Sequence, residues 1–241
     1  MKREYLHKFW LSAAISLSTF SLLFSNPSHH DLTEDTHSPS SHQTDKKPLV
    51  ENNLWNSLKE GNVRFISGKP LPREYIKKRI ELSKGQKPKF IVLTCADSRL
   101  SPELIFDKNL GELFVLRTAG NIADPIVLGS IEYAVEHLGS KMLVILGHEK
   151  CGAVAAACDG GTMPTTNLEA IVKKIGAGIS ELKNRFSGEP LKTLAIRANI
   201  YQSSNDIVKN SPIVKEALEK HGLQIVNAIY RLESGEVERM H

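Results

Sequence analysis

The chain has 241 residues, of which 41% are apolar and 24% charged, with a formal net charge of +4 at pH 7. That length holds one α/β domain with a full core plus extensions, and a mild positive balance without any long Lys/Arg block excludes a nucleic-acid-binding face. Three cysteines, Cys95, Cys151 and Cys158, are an odd set and too few for a disulfide framework.

Residues 1–26 open with Lys2, Arg3 and Lys8, and continue with an apolar stretch from Phe9 to Phe24 interrupted only by serines and a threonine. This is the layout of a secretory signal peptide, too short and too rich in serine for a transmembrane helix. It predicts export, to the periplasm, with no stable membrane association once the signal is removed. Pro27 obstructs a cut directly before it, which leaves an uncleaved anchor as the alternative. Residues 27–50 are polar and predict a disordered linker, since so few large apolar groups cannot offset the entropy of ordering. Its histidines, His29, His30, His37 and His42, are read as solvated side chains.

From residue 51 the pattern changes. Glu51 to Ser67 has helical periodicity through Leu54, Leu58, Val63 and Phe65, and Pro72 to Leu82 predicts a second helix. Phe90–Thr94 is an apolar strand, Pro102 to Phe106 a short helix, and Leu113 to Arg117 another strand. Asp124 followed by Pro125 is an N-cap with proline at the first helical position, and Gly139 closes that helix. Met142–Leu146 is a strand leading into a helix from Gly152, with Asp159 to Pro164 as a loop. Helices are expected over about 167–185 and 191–209. Another is capped by Ser211-Pro212 and ended by Gly222. Gln224–Leu232 and Val237–Met240 flank a hairpin signal. The fold class is therefore α/β: a mainly parallel β-sheet flanked by helices, with a C-terminal edge hairpin and an N-terminal helical arm.

Two strings carry chemistry. Cys95-Ala96-Asp97-Ser98-Arg99 and His148-Glu149-Lys150-Cys151-Gly152 follow two of the apolar strands. Side by side, those strands would bring two thiols and an imidazole to the crevice where open α/β sheets bind ligands. Two cysteines and a histidine are the protein ligands of one class of catalytic zinc, whose fourth position is kept for water. His148 and Cys151 are three apart, so one turn presents both, and a helix starting at Gly152 favours the Cys151 thiolate. Two thiolates cancel the charge of the ion, so its water is acidified less than on a zinc held by neutral histidines. Asp97 and Arg99 are the natural outer partners. Paired to Arg99, Asp97 stays ionised and accepts a hydrogen bond at the metal's open corner; unpaired, it can occupy that corner and close the site. A closed structural zinc, with Asp97 as permanent fourth ligand, is the alternative. No Cys-x-x-Cys is present, which argues against a thioredoxin-like redox role. Cys158 is read as a small buried apolar residue.

These strings resemble those of the β-class carbonic anhydrases, and the resemblance extends through Gly61–Phe65, Pro102–Phe106, Arg117–Asn121, Ser130–Val135 and Gly235–Val237, in family order. It covers about residues 51–241. It implies that Cys95, His148 and Cys151 bind one zinc ion per subunit and that Asp97 and Arg99 form the catalytic dyad. It also implies carbon dioxide and bicarbonate as substrates. Gln86 sits nine residues before Cys95, where plant-like members keep a glutamine that binds substrate across a dimer interface. Phe114 and Tyr133 match positions that line the pocket in those members, although both also suit a core. Gln86 favours the subclass with an open, water-bearing zinc over the one switched by bicarbonate. The resemblance further implies a homodimer or a dimer of dimers, with the helix at 51–67 embracing its partner. Ala119-Gly120 departs from a bulkier pair, which alters the pocket wall. Glu149-Lys150 replaces small residues, a change expected to affect only the surface. Related folds that hydrolyse carbonyl sulfide or carbon disulfide with the same ligands, and a non-catalytic zinc-binding module, are the alternatives.

Overall fold

The computed structural model describes residues 47–241. The expected signal peptide and all but the end of the linker, with its four histidines, lie outside the described residues. In chain order the elements are α1 (Lys47–Ile66), α2 (Tyr75–Leu82), β1 (Phe90–Cys95), α3 (Pro102–Ile105), β2 (Leu113–Thr118) and α4 (Pro125–Glu136). They continue with β3 (Met142–His148), α5 (Gly152–Asp159), α6 (Thr166–Lys183), α7 (Gly188–Asn210), α8 (Pro212–Lys220), β4 (Gln224–Tyr230) and β5 (Val237–Arg239). A 3-10 turn, Ala119–Asn121, follows β2.

The sheet order is β2-β1-β3-β4-β5; the first four strands are parallel and β5 returns antiparallel along β4. This is the expected architecture, including the edge hairpin. β1 and β3 are buried at every residue, which is why both read as continuous apolar runs. Their side chains alternate between two cores, as the strand period requires. Ile91, Leu93, Leu143 and Ile145 face the core built with α4 to α8. Phe90, Val92, Met142 and Val144 face the one that includes Trp55 and Leu58 of α1. Cys95 shares the parity of Ile91 and Leu93 and so ends β1 on the first of these faces.

Helix boundaries follow the capping chemistry. Asp124 accepts the N–H of Val127 at 2.8 Å, Ser211 that of Val214 at 3.1 Å and Thr165 that of Leu168 at 3.3 Å. Two expectations are corrected. The helical arm begins at Lys47, inside the stretch read as linker. Its inward face is Trp55, Leu58 and Asn62, whereas Val63 is 60% exposed. Asn62 is buried because it is fully engaged: Nδ2 donates to the carbonyls of Ile105 and Gly235, and Oδ1 accepts the N–H of Val237. Cys158 is buried, as expected. Among the described residues, no helix is long and apolar enough to cross a membrane.

Candidate metal centre

β1 sits between β2 and β3, and the chain moves from one side of it to the other after β2. The C-terminal ends of β1 and β3 therefore border a switch-point crevice. Parallel pairing sets Thr94 against Leu146, so Cys95 and His148 leave adjacent strands on the same end of the sheet. Lys150 takes a left-handed conformation, φ 52°. It bends the chain between β3 and α5 so that Cys151, the N-cap of α5, faces back toward His148.

The ligand atoms of Cys95, His148 and Cys151 all lie within 4.8 Å of one another, and all three residues are buried. His148 is 1% exposed, and its Nε2 has no hydrogen-bond partner. Its Nδ1 lies 2.8 Å from the carbonyl of Glu149, which accepts that nitrogen's proton. That contact fixes the tautomer and leaves Nε2 as a bare lone pair pointing at two sulfurs. Such an orphan is costly unless something fills the gap, and a zinc ion suits the donor set. A hydrogen bond from Cys151, helped by the Gly120 N–H, lowers the Cys95 thiol well below its ordinary range against the cost of burial. The same bond and burial push Cys151 up, against the N–H groups that open α5.

Asp97 lies beside the trio, its Oδ2 3.9 Å from His148 Nε2. Both of its oxygens are occupied by Arg99: Nε donates to Oδ1 at 2.8 Å, Nη2 to Oδ2 at 2.6 Å, and the backbone N–H to Oδ1 at 3.0 Å. The Arg99 guanidinium holds this carboxyl well below the usual carboxylate range. Arg99 also reaches the Lys150 carbonyl at 3.3 Å, tying the two metal strings together.

Five of the eight residues singled out from the sequence thus converge. Phe114 and Tyr133 instead form a tilted ring pair at 6.3 Å between β2 and α4, with Tyr133 46% exposed. Gln86 is exposed on the loop that enters the N-terminal end of β1, the opposite end of that strand from Cys95.

Three residues escaped sequence reasoning. Arg117 donates to the carbonyls of Cys95 and Asp97 at 3.2 and 2.7 Å, pinning the first metal string. Gly120 donates its N–H to the Cys95 sulfur at 3.3 Å. Both belong to the Arg117–Asn121 string, whose presence was visible but whose contacts were not. Glu149 corrects the expectation of a purely surface role. Its carboxylate pairs with Arg231 at 2.7 Å and accepts the Leu232 N–H at 3.2 Å, anchoring the His148–Cys151 turn to the β4–β5 hairpin.

The sequence profile described as carbonic anhydrase matches residues 90–237. The chain is 38% identical over 185 residues to carbonic anhydrase 2 of Mycobacterium tuberculosis, an alignment covering 75% of this chain and 88% of that protein. Among solved structures, the β-carbonic anhydrase CafA of Aspergillus fumigatus superposes with a TM-score of 0.61 at 27% identity, over 80% of this chain and 88% of that one. One of two tetrameric β-carbonic anhydrases from Sordaria macrospora gives 0.61 at 25% identity, over 80% and 94%.

Proposed function

The chain belongs to the carbonic anhydrase family, in its β class, and on that premise we propose that it interconverts carbon dioxide and bicarbonate at Cys95, His148 and Cys151, with one zinc ion per subunit. The observation that carries this reading is the buried, unpartnered His148 Nε2 facing two sulfurs, with Asp97 fully engaged by Arg99 beside it. Zinc in such a site supplies Lewis acidity, which makes a water nucleophilic near neutral pH.

The chain's own residues do the rest. Asp97, kept ionised by Arg99, accepts the hydrogen of the attacking oxygen and turns a lone pair toward the carbon of carbon dioxide. Arg99 would keep that carboxylate from swinging onto a bound metal, and Arg117 holds the backbone on which it stands. Glu149 fixes the His148 ring through its carbonyl and fixes the turn through Arg231. Water and carbon dioxide give bicarbonate and one proton.

Gln86 holds a substrate oxygen in the neighbouring subunit's pocket, and Phe114 and Tyr133 form its wall. Support for an assembly comes from α2. None of its residues is buried in this chain, yet Tyr75, Ile76 and Ile80 are among its side chains, at 53%, 71% and 60% exposure. Apolar groups so displayed mark a contact surface, and a homodimer or dimer of dimers would cover them. Export to the periplasm rests on residues 1–26 and their signal-peptide pattern; recovery of the intact chain from the cytosol, with Met1 attached, would overturn it.

The test of activity is stopped-flow hydration of carbon dioxide by the zinc-loaded protein at neutral and alkaline pH. Hydration well above the buffer rate is expected. Fully loaded protein that hydrates at neither pH would sink the proposal, leaving a sulfur-substrate hydrolase or a non-catalytic zinc module.

A further inference from the structure

The Cys95 sulfur receives the Gly120 N–H only because the 3-10 turn 119–121 is held in an unusual shape. Gly120 and Asn121 are both left-handed, with φ 70° and 46°. A Cβ at Gly120 would stand 2.7 Å from Ile175 Cδ1 and 3.3 Å from Ala153 Cβ, so glycine meets both the backbone and the packing requirement. Two consecutive left-handed residues do not hold themselves in place.

What holds them comes from α7, distant in sequence. Asn199, 1% exposed, donates from Nδ2 to the Gly120 carbonyl at 2.7 Å. Ser203, one turn further along α7, donates from Oγ to the Asn121 carbonyl at 2.9 Å. Neither side chain has a hydrogen bond to a metal-ligand residue. They act on the two peptide units that follow the one carrying the Gly120 N–H, and so fix the turn that aims it. α7 is itself seated firmly against β3: a Cβ at Gly147 would come within 2.4 Å of Ile200 Cδ1.

We propose that Asn199 is a positioning residue of the metal centre, gripping the 119–121 turn so that the Gly120 N–H donates to the Cys95 sulfur. The inference rests on the zinc reading above and deepens it. Two thiolates neutralise a divalent ion and blunt its effect on bound water. A hydrogen bond into one sulfur draws charge away from the metal and offsets part of that loss.

The experiment uses the full chain loaded with cobalt(II) in place of zinc, and zinc release to a chromogenic chelator. Asn199→Ala and the volume-keeping Asn199→Leu should both shift the sulfur-to-cobalt charge-transfer band. Both should also release zinc about tenfold faster. Leu fills the site, so the test survives if the cavity left by Ala unfolds the protein. Ser140→Ala removes another buried, hydrogen-bonded side chain, whose Oγ donates to the Pro88 carbonyl at the opposite end of the sheet from the metal strings, and should change neither readout. An unchanged band and release rate in both Asn199 variants would overturn the proposal, as would an equal change in Ser140→Ala, which would indicate general loosening. Wild-type protein that takes up neither metal would overturn the zinc reading and this inference with it; bound metal with an unmoved band overturns the inference alone.

Discussion

Asp97 receives three hydrogen bonds from one neighbour, two from the Arg99 side chain and one from its backbone. Replacing it removes a hydrogen-bond acceptor but no metal ligand. Asp97→Ala is expected to keep its zinc, by elemental analysis, while turnover falls by about 100-fold or more; wild-type rates would take this carboxylate out of the mechanism. Cys151→Ser removes a ligand. It should lose zinc by more than the roughly 10- to 100-fold that outer partners cost, and full occupancy after dialysis would refute the ligand set. The sign of the pH effect at Asp97 follows from Arg99. The folded carboxyl titrates below its unfolded value of about 3.9. The stabilisation is therefore complete above that value and is lost only as the pH falls through the folded one. Loss of turnover across neutral pH must then belong to another group, and the residual activity of Asp97→Asn should keep the same midpoint.

At the scale of elements, α1 docks through a contact with no slack. A Cβ on Gly61 would lie 1.8 Å from the Phe106 carbonyl oxygen, a backbone atom that cannot rotate away. Gly61→Ala should lower unfolding stability by about 1–3 kcal/mol, read as a reduced urea midpoint with the slope unchanged. An unmoved midpoint would mean that α1 does not pack there. The period-3.6 pattern marked this helix correctly but put Val63 inward. Apolar character alone does not distinguish a core face from a face displayed to solvent or a partner. The position that Asn62 holds was invisible, because its burial depends on carbonyls 43 and 173 residues away. Glu149 escaped for the same reason, its partner Arg231 lying 82 residues on.

For the whole molecule, the proposed assembly turns on α2. Changing Ile76 and Ile80 together to Asp puts like charges on the face that a second copy would cover. Sedimentation should shift to the monomer, and, on the role proposed for Gln86 across the interface, turnover should drop with it. A double variant that sediments as the wild type would remove α2 from the interface.

The order of strands and helices, the parallel sheet with its edge hairpin and the convergence of Cys95, His148 and Cys151 at one end of it were all readable from the sequence. Each depends on local signals: unbroken apolar runs in doubly covered strands, capping residues, and Cys and His spacing at strand ends. Tertiary structure alone decided which outside groups hold those ligands in place. The Gly120 N–H on Cys95, the Arg117 contacts, the Asn199 grip and the Glu149–Arg231 anchor all join segments separated by 20 or more residues. A hydrogen bond needs donor and acceptor within about 3 Å, and spacing along a chain carries no record of such distances until the sheet has brought its strands together.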